Sequence, residues 1–232
     1  MKKKILCTIC IRSGSKGFKN KNIRKINRKP LVLYSYEVAK KTKIFEKIFI
    51  SSDSEFFLNI CKKFGVKDLI KRPKVLSNDK SSKIEAIKHT LLSAEKKYNT
   101  RYDYIVDLDA TSPLRTANDV KGAFKKFLKS NSSNLFSVTN SNRSPYFNMV
   151  EIKNSKIQLV KKAKMQYLRR QDTPLTYDLN ASIYIWKRQS LLKNKKLIQK
   201  KTGIYIMPKS RSIDIDDKFD FKIVSQIINK KI

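Results

Sequence analysis

The sequence predicts an α/β fold in which a mostly parallel sheet is covered by helices on both faces, giving three layers. Short apolar runs typical of buried strands alternate along the chain with segments of helical periodicity, and this alternation is the pattern of parallel α/β proteins. The 232 residues suffice for one core that needs no disulfide or structural metal. We therefore predict a single domain over residues 1–232.

Apolar runs mark the strands of this sheet. Ile5–Ile11 is the first predicted strand, and polar side chains follow it directly. The later predicted strands are Ile48–Asp53, Tyr104–Asp109, Leu135–Thr139 and Ala181–Trp186. Because parallel α/β sheets bind ligands at the carboxyl ends of their strands, the polar residues after each strand indicate where a site lies.

Helical periodicity fills the intervals between the strands. The predicted helices are Leu33–Lys41, Glu55–Phe64, Ser81–Lys97 and Ala117–Leu128, with a further helical pattern from Phe219. Gly65 is placed to close the second helix, and Ser81 or Ser82 to cap the third. The polar segment between the last two strands is interpreted as a hairpin-like insertion over about 141–179.

The formal net charge of +34 raises the question of a polyanionic partner. Clustered Lys and Arg release counterions from nucleic acids, but these cations are spread over the whole chain. No basic stretch interleaved with aromatic residues occurs in the sequence. We interpret the charge as a lysine-rich solvated surface that steers acidic small molecules, and we predict no nucleic-acid partner.

The apolar runs and the cysteines indicate a compartment. No run approaches the ~18 residues of a membrane span, and the apolar stretch after the first lysines ends at Arg12 without a cleavage site. We therefore predict a cytoplasmic protein with no membrane partner. Cys7, Cys10 and Cys61 are too few and odd in number for a disulfide framework. Cys7 and Cys10 lie three apart in a strand, so their side chains should point to opposite faces.

The segment after the first strand, Arg12–Asn22, combines two glycines, two serines and four cations. Glycines let the backbone approach a ligand, and loop N–H groups form anion-binding concavities. Arg12, Lys16 and Lys21 supply countercharge for a polyphosphate. The spacing fits neither the Walker A loop nor the dinucleotide fingerprint. The sequence therefore predicts a phosphate-binding loop of another kind, with a plain basic loop as the alternative.

The segment Ser212–Asp217 carries three acids in a chain that is short of them. If it is extended, Asp214 and Asp216 share one face while the intervening isoleucines pack inward. Mg²⁺ commonly takes one or two carboxylates and completes its shell with phosphate oxygens and water. We predict a metal site here, with a solvated acidic turn as the alternative. Asp217 precedes a helical pattern and is predicted to cap it.

Two further segments complete the candidate site. Asp107 and Asp109 share a face at the end of a predicted central strand, where they suit a metal or sugar hydroxyls. The loop Arg72–Ser82 carries donors and acceptors suited to the edge of a base. His89, the single histidine, lies mid-helix and does not support a Ser–His–Asp triad. A phosphate loop, paired acids and no nucleophile constellation indicate metal-assisted phosphoryl chemistry.

Taken in order, these segments resemble the acylneuraminate cytidylyltransferase family, the CMP-sialic acid synthetases and their relatives for other nine-carbon sugars. The matching segments are Ile11–Gly17 with Lys21-Asn22, Arg72-Pro73 with Leu76 and Asp79, Thr111–Arg115, Arg170-Gln171 with Asn180–Tyr184, and Asp214–Asp216. The resemblance covers essentially the whole chain. It implies a Rossmann-like nucleotidyltransferase fold of the GT-A type and transfer of CMP from CTP to a nonulosonic acid with release of pyrophosphate.

The resemblance also implies roles for individual residues. The nucleotide would be held by Arg12, Ser15, Lys16, Gly17, Lys21, Asn22, Arg72, Asp79, Ser81 and Ser82. The sugar would be held by Asp109, Thr111, Ser112, Arg115, Arg170, Asn180 and Tyr184, with Arg170 pairing with its carboxylate. Arg12, Lys16, Lys21 and Asp216 would be catalytic, and Asp214 and Asp216 would bind Mg²⁺ or Mn²⁺.

The chain departs from the sialic acid enzymes at one informative position. Many of them read Gln-Pro before Thr-Ser-Pro-Leu-Arg, whereas Asp109-Ala110 stands here. Asp109 together with Asn180-Ala-Ser resembles the legionaminate-type branch of the family, and an N-acetylneuraminate-type sugar is the other sugar class that the resemblance implies. A KDO cytidylyltransferase, an enzyme of the same fold that uses another nucleoside triphosphate, and a basic nucleic-acid-binding protein are the alternatives. The resemblance implies a homodimer whose arm is the polar segment 153–169; a lid over the sugar site is the other interpretation of that segment.

Overall fold

The computed structural model describes residues 3–14, 17–78, 81–162 and 167–230. The strands are β1 (Ile5–Cys10), β2 (Lys25–Ile26), β3 (Lys29–Pro30), β4 (Lys47–Ser52), β5 (Leu69–Lys71), β6 (Tyr104–Leu108), β7 (Asn134–Asn140), β8 (Val150–Lys153), β9 (Lys156–Leu159), β10 (Tyr177–Lys187) and β11 (Thr202–Ile206). The helices are α1 (Leu31–Thr42), α2 (Glu55–Lys63), α3 (Lys83–Tyr98), α4 (Ala117–Lys129), α5 (Arg188–Lys193) and α6 (Lys218–Lys230). None of the described helices is both long and apolar enough to cross a bilayer.

The central sheet of the described chain has seven strands in the order β11-β7-β10-β6-β1-β4-β5. Its pairings are parallel except those of β10, which runs antiparallel to both β6 and β7. Helices α1, α2 and α4 pack on one face, and α3 and α5 on the other. The predicted three-layer, mostly parallel α/β fold is confirmed.

The first strand shows why the sheet needs cover on both faces. Five of the six residues of β1 are buried, as expected for a central parallel strand with apolar side chains on both sides. Cys7 lies in the core beneath α1, α2 and α4, whereas Cys10 packs against the core beneath α3. The two sulfurs therefore lie on opposite faces, as the strand period predicts.

The order of the strands locates the ligand site. The chain moves from β1 outward to β4 and β5, and then returns through α3 to β6 on the other side of β1. Connections therefore leave β1 and β6 toward opposite sides. In open α/β sheets a crevice forms at the carboxyl ends of such a strand pair, and ligands bind there.

The structure differs from the sequence predictions in several elements, of which three bear on the site. Short edge strands, β5 and β11, were not predicted, because three to five residues give too little pattern. The last predicted strand is longer: β10 starts at Tyr177, so three residues assigned to the insertion over 141–179 pair with β7. Residues 212–216 have no strand pairing, so the predicted extended strand of acids is wrong.

The insertion does contain the predicted hairpin. Strands β8 and β9 pair only with each other, in an antiparallel ladder. Seven of their eight residues are exposed, which leaves the hairpin projecting from the central sheet.

Candidate active site

A cleft of about 560 Å³ opens at the carboxyl ends of β1 and β6. Of the residues predicted for the site, Arg12, Gly17, Lys21, Asn22, Arg72, Ser81, Ser82, Asp109, Thr111, Asp214 and Asp216 line it. Ser15, Lys16 and Asp79 lie outside the described residues. Segments separated by up to two hundred residues in the chain thus meet in one cavity.

The cationic loop after β1 is held at its base by two side chains. Asn22 is buried and donates from Nδ2 to the backbone oxygen of Arg12 at 3.0 Å. Asp53, at the end of β4, accepts hydrogen bonds from the backbone N–H and the hydroxyl of Ser13 at 3.0 and 2.6 Å. These contacts fix the start of the loop, so that the Arg12 side chain faces the cleft.

The cationic loop meets the acidic segment directly. Lys21 Nζ lies 2.9 Å from Asp216 Oδ1 and donates to the backbone oxygen of Ile215 at 2.8 Å. A β-carbon added at Gly17 would lie 3.1 Å from the backbone oxygen of Asp216, so glycine allows this close approach. The phosphate-loop candidate and the acid pair therefore form adjacent walls of the cleft.

The acidic segment is held in an irregular but anchored conformation. Ile215 N–H donates to the backbone oxygen of Thr111 at 2.9 Å, and Asn180 Nδ2 donates to the hydroxyl of Ser212 at 2.9 Å. Arg211 forms a bidentate ion pair with Asp119 of α4, with both contacts at 2.8 Å. Tertiary contacts, rather than strand pairing, present this segment to the cleft.

The two acids of this segment have different surroundings. Asp216 is 76% exposed, whereas one oxygen of Asp214, Oδ1, is buried without a hydrogen-bond partner. Burial raises the pKa of Asp214 to about 6; hydrogen bonding with Thr111 opposes the rise, and the carboxylates of Asp109 and Asp216 add to it. An unpartnered buried carboxylate oxygen beside a second carboxylate is a donor set that suits a divalent cation.

The described residues do not by themselves form a complete set of metal ligands. Across residues 3–14, 17–78, 81–162 and 167–230, no group of three or more His, Cys, Asp or Glu is arranged to hold a metal. Mg²⁺ needs only one or two carboxylates when phosphate oxygens complete its shell. The residues present therefore fit an ion that arrives with a nucleotide rather than one held by protein alone.

Asp217 has the role in α6 that its position predicts. Its Oδ1 accepts hydrogen bonds from the backbone N–H groups of Phe219 and Asp220 at 2.7 and 2.9 Å. Asp220 Oδ2 in turn accepts from the N–H groups of Asp216 and Asp217. This exchange satisfies the free donors at the start of the helix, so the predicted cap is confirmed.

The opposite wall of the cleft comes from the loop before α3. Arg72 is buried, and its guanidinium donates to Ile11 O at 2.8 Å, Ser77 Oγ at 2.9 Å and Ser51 Oγ at 3.2 Å. Ser81 donates to the backbone oxygen of Val75 at 2.6 Å. Arg72 thus joins the ends of β1, β4 and β5 while it lines the cavity.

Ser82 directs the amino end of α3 into the cleft. Its hydroxyl accepts from the Glu85 N–H at 3.2 Å and so caps the helix, as the sequence predicts. The positive end of this 16-residue helix thereby adds to the anion-attracting character of the wall.

Lys83, the first residue of α3, lines the cleft but was not predicted. Its ammonium lies 3.1 Å from Asp107 Oδ2, donates to Asp109 Oδ2, and sits 4.2 Å from the ring centroid of Tyr184. A lysine in the first turn of a helix opposes the helix dipole. That local conflict is a signal in the sequence that could have indicated a functional contact.

Burial and pairing set the charges around Lys83. Burial would lower the pKa of Lys83, but Asp109 and Asp107 outweigh it and raise the pKa. Burial would raise the pKa of Asp109, but Lys83 outweighs it and the pKa falls. For Asp107 burial dominates over Lys83, and the pKa is raised.

Five residues predicted to contact the sugar do not line the cleft. Ser112 is fully buried. Arg115 is buried and donates to Ser182 O and Ser35 Oγ at 2.7 and 2.5 Å, and to the backbone oxygen of Asp109. Because these donors point into the protein, Arg115 supports the end of β6; its predicted contact with the sugar stays a prediction.

Asn180 and Tyr184 likewise act from behind the cleft wall. Asn180 is buried, accepts from Ser137 Oγ at 2.7 Å and holds Ser212. Tyr184 is buried, stacks on Trp186 and presents its ring to Lys83. Neither residue lines the cleft, and their predicted contacts with the sugar stay predictions.

Arg170 is also displaced from its predicted place. It is exposed in a short 3₁₀ turn, Arg170–Asp172, and donates to the backbone oxygen of Asn142 at 2.5 Å. It does not line the cleft of its own chain, and its predicted pairing with a sugar carboxylate stays a prediction.

Parallel α/β sheets bind nucleotides where the strand order reverses, and here cations and carboxylates face one another across that point. Fold and cleft together are those of a nucleotidyltransferase. The chain belongs to the Cytidylyltransferase family, which it matches over residues 6–227. The sequence-based assignment to this enzyme class is confirmed.

The chain is also similar in sequence to individual named proteins. The chain is 43% identical over 227 residues to the CMP-N,N'-diacetyllegionaminic acid synthase of Campylobacter jejuni, covering 98% of this chain and 96% of the relative. The post-translational flagellin modification protein B of Campylobacter coli has the same identity and coverage. The N-acylneuraminate cytidylyltransferase of Escherichia coli is 33% identical over 232 residues, all of this chain and 54% of that protein.

Solved structures support the fold. The structure of CMP:2-keto-3-deoxy-manno-octonic acid synthetase complexed with CTP superposes with a TM-score of 0.69, covering 99% of this chain and all of that one at 15% identity. A 4-diphosphocytidyl-2C-methyl-D-erythritol synthase superposes with a TM-score of 0.67 over 98% and 99% of the two chains at 9% identity. At such low identity these matches establish the architecture alone.

Proposed function

We propose that this enzyme transfers CMP from CTP to a nonulosonic acid of the legionaminate type and releases pyrophosphate. The observation that carries the proposal is the meeting of Lys21 with Asp216 in a cleft that also holds Asp214. The 43% identity to a CMP-N,N'-diacetyllegionaminic acid synthase over nearly the full length supports the sugar class. Asp109, in place of the Gln of many sialic acid enzymes, agrees with it.

The proposed reaction is an in-line displacement at the α-phosphorus of CTP. The anomeric hydroxyl of the sugar forms the new O–P bond and gives up its proton to a water molecule or to Asp216, while the bond from the α-phosphorus to the departing pyrophosphate breaks. Because charge grows on phosphate oxygens, positioning and electrostatic stabilisation supply most of the rate enhancement. Arg12 and Lys21 face the cleft in positions suited to the triphosphate. Lys16, outside the described residues, is proposed to join them.

The cytosine base is proposed to lie against the wall formed by Arg72, Ser81 and Ser82. These residues line the cleft on the side of the α3 terminus. Arg72 is held by hydrogen bonds to Ile11, Ser51 and Ser77, and so fixes the shape of this wall. A rigid polar wall suits the edge of a planar base.

Asp214 and Asp216 are proposed to hold Mg²⁺, or Mn²⁺, together with the phosphates of the nucleotide. When bound, such an ion stabilises developing charge on phosphate oxygens. The protein residues then have separate tasks. Asp214 offers its unpartnered Oδ1, Asp216 faces the open cleft, and Lys21 balances the carboxylate charge on that side.

We further propose that the enzyme is a homodimer joined through the β8–β9 hairpin. Cross-strand partners Val150 with Leu159 and Ile152 with Ile157 form one apolar face, and all four are exposed. A two-stranded hairpin is marginally stable alone in water, so a second copy is the cover we propose.

We also propose a cytoplasmic location, which would match the supply of CTP.

Pyrophosphate release tests the proposed function. The purified protein is incubated with Mg²⁺, one of four nucleoside triphosphates, and N,N'-diacetyllegionaminic acid, N-acetylneuraminic acid or KDO. We expect CTP with the legionaminic acid to give the highest kcat/KM. A preference for UTP, or for KDO, would contradict the proposal. Salt-sensitive RNA binding without pyrophosphate release would favour the nucleic-acid alternative.

Light scattering tests the dimer. We expect twice the mass of the 27.1 kDa chain and a monomer for the variant Ile152→Lys/Ile157→Lys. Glu151 and Gln158 pair on the opposite face of the same hairpin. The matched control Glu151→Lys/Gln158→Lys should remain dimeric. A wild-type monomer at micromolar concentration would refute this interface.

A further inference from the structure

Lys83 occupies an unusual place for a cleft residue. It follows the cap of α3 directly and lies at the positive end of that helix, where an ammonium group is disfavoured. Its side chain is 32% exposed toward the cleft. Its position there must therefore be stabilised by contacts stronger than the helix dipole.

Three partners supply those contacts. Asp107 Oδ2 lies 3.1 Å from the ammonium, Asp109 Oδ2 accepts a hydrogen bond from it, and the Tyr184 ring lies beneath it at 4.2 Å. Carboxylates and an aromatic face both attract an ammonium, most strongly where water is scarce. Lys83 is thus directed at protein groups in the free enzyme.

The two carboxylates stand at different depths. Asp107 is fully buried and also accepts from Thr8 Oγ1 at 2.6 Å. The Asp109 side chain is 22% exposed and lines the cleft. Lys83 therefore connects a fixed interior anchor with a carboxylate that faces the ligand. Buried Arg115, whose guanidinium binds the backbone oxygen of Asp109, adds a second positive charge near the Asp109 carboxylate.

We propose that Lys83 is a positioning residue that holds the Asp109 carboxylate at the cleft wall, where it selects a sugar presenting an O–H or N–H donor. An ion-paired carboxylate only accepts hydrogen bonds. A sugar with a hydroxyl or amide N–H at that place is bound, and one with a carbonyl or carboxylate there is rejected. An amide side chain at the same position both donates and accepts, and would discriminate less.

This inference rests on the proposed function, because the sugar must occupy the part of the cleft beside Asp109. The experiment is a double-mutant cycle of wild type, Lys83→Met, Asp109→Asn and the double variant. KM is measured for N,N'-diacetyllegionaminic acid and for CTP. We expect Lys83→Met to raise the sugar KM about 10- to 100-fold, the loss typical of a charged hydrogen bond. The CTP KM should stay within about threefold.

The double variant separates positioning from direct contact. If Lys83 acts through Asp109, the double variant resembles Asp109→Asn alone, because nothing remains for Lys83 to hold. Effects that multiply would contradict the proposal, since Lys83 would then contact substrate itself. A raised CTP KM with an unchanged sugar KM would also contradict it and would indicate a phosphate contact.

Two measures keep the test decisive. Lys83→Met leaves the buried Asp107 carboxylate without its cation. The variant Lys83→Met/Asp107→Asn removes both charges and is measured beside it. We expect the same rise in sugar KM for this variant. Urea unfolding of the four proteins reads the pairing without substrate. Non-additive midpoint shifts support it, and additive shifts contradict it. No pyrophosphate release by wild type with any sugar would refute the proposed function separately.

Discussion

Two Asp-x-Asp pairs contribute to the cleft wall, and they look alike in the sequence but differ in the folded protein. Asp107 and Asp109 both form an ion pair with Lys83, and Asp107 also accepts a hydrogen bond from Thr8. Asp216 is paired with Lys21, and one buried oxygen of Asp214 has no hydrogen-bond partner. One oxygen of Asp107, Oδ2, also has no hydrogen bond, but the Lys83 ammonium lies 3.1 Å from it. Carboxylates that are already paired can shape a binding wall, whereas unsatisfied ones attract a cation. The comparison assigns recognition to the first pair and metal binding to the second.

Neutralising the second pair should have the largest effect. Asp214→Asn and Asp216→Asn are each expected to lower kcat at least 100-fold, about 2.7 kcal/mol of barrier. Both variants should remain folded by circular dichroism. Because an amide ligates Mg²⁺ poorly, raised Mg²⁺ concentration should restore little of the activity.

The same substitution one residue further on is the control for that prediction. Asp217→Asn keeps a good helix cap and should leave kcat within about threefold, since Asp217 serves α6. Asp107→Asn in the first pair should lower kcat less than tenfold, below about 1.4 kcal/mol. Full activity in Asp214→Asn and Asp216→Asn would abolish the distinction between the pairs.

The pH dependence of stability gives the next largest effect. The folded-state pKa of Asp214 is raised to about 6 from 3.8, so the folded protein favours the protonated carboxyl. The contribution is therefore most favourable below about pH 4 and is lost as pH rises through 6. About two pKa units correspond to at most about 3 kcal/mol.

Urea unfolding without Mg²⁺ between pH 4.5 and 7.5 measures this contribution. Asp214→Asn cannot ionise, so its free energy of unfolding relative to wild type should increase across that interval. The substitution should thus stabilise the apo protein at pH 7.5 while it removes activity. A constant difference between the two proteins would show that Asp214 is not strained by burial.

The smallest expected effect concerns the irregularity in β10 between Leu179 and Tyr184, which supports the segment that carries Asp214 and Asp216. Ala181 has a left-handed φ of 42° where β10 shifts register, next to Asn180, which anchors Ser212. A left-handed conformation costs a non-glycine residue about 1–2 kcal/mol, and a glycine would avoid this cost. Glycine also loses more chain entropy on folding than alanine, which offsets about 0.5–1 kcal/mol of that gain. Ala181→Gly should raise the free energy of unfolding by up to about 1 kcal/mol.

Ala123→Gly is the opposite control. Ala123 is buried within α4, where glycine lowers helix stability by about 1 kcal/mol. Equal destabilisation by both substitutions would show that the conformation of Ala181 carries no strain. Activity of Ala181→Gly should be retained, because Asn180 keeps its contacts.

The elements predicted correctly are those with long, consistent patterns. The strand at Ile5, the helix capped by Ser82 and the cap at Asp217 follow from local rules of burial and capping, and the structure has them all. The orientation of side chains depends on long-range packing. Arg115, Asn180 and Tyr184 belong to recognisable segments, but only packing shows that their polar groups point behind the cleft wall.

The sequence by itself determined the α/β class, the enzyme family and the segments that build the cleft, because periodicity, caps and ordered motifs are local properties of the chain. The tertiary structure decided which acids are neutralised and which are open. Lys83 and Asp109 are 26 residues apart in the chain, and Lys21 and Asp216 are 195 apart. Charge pairing depends on distance in space, and the fold alone sets that distance.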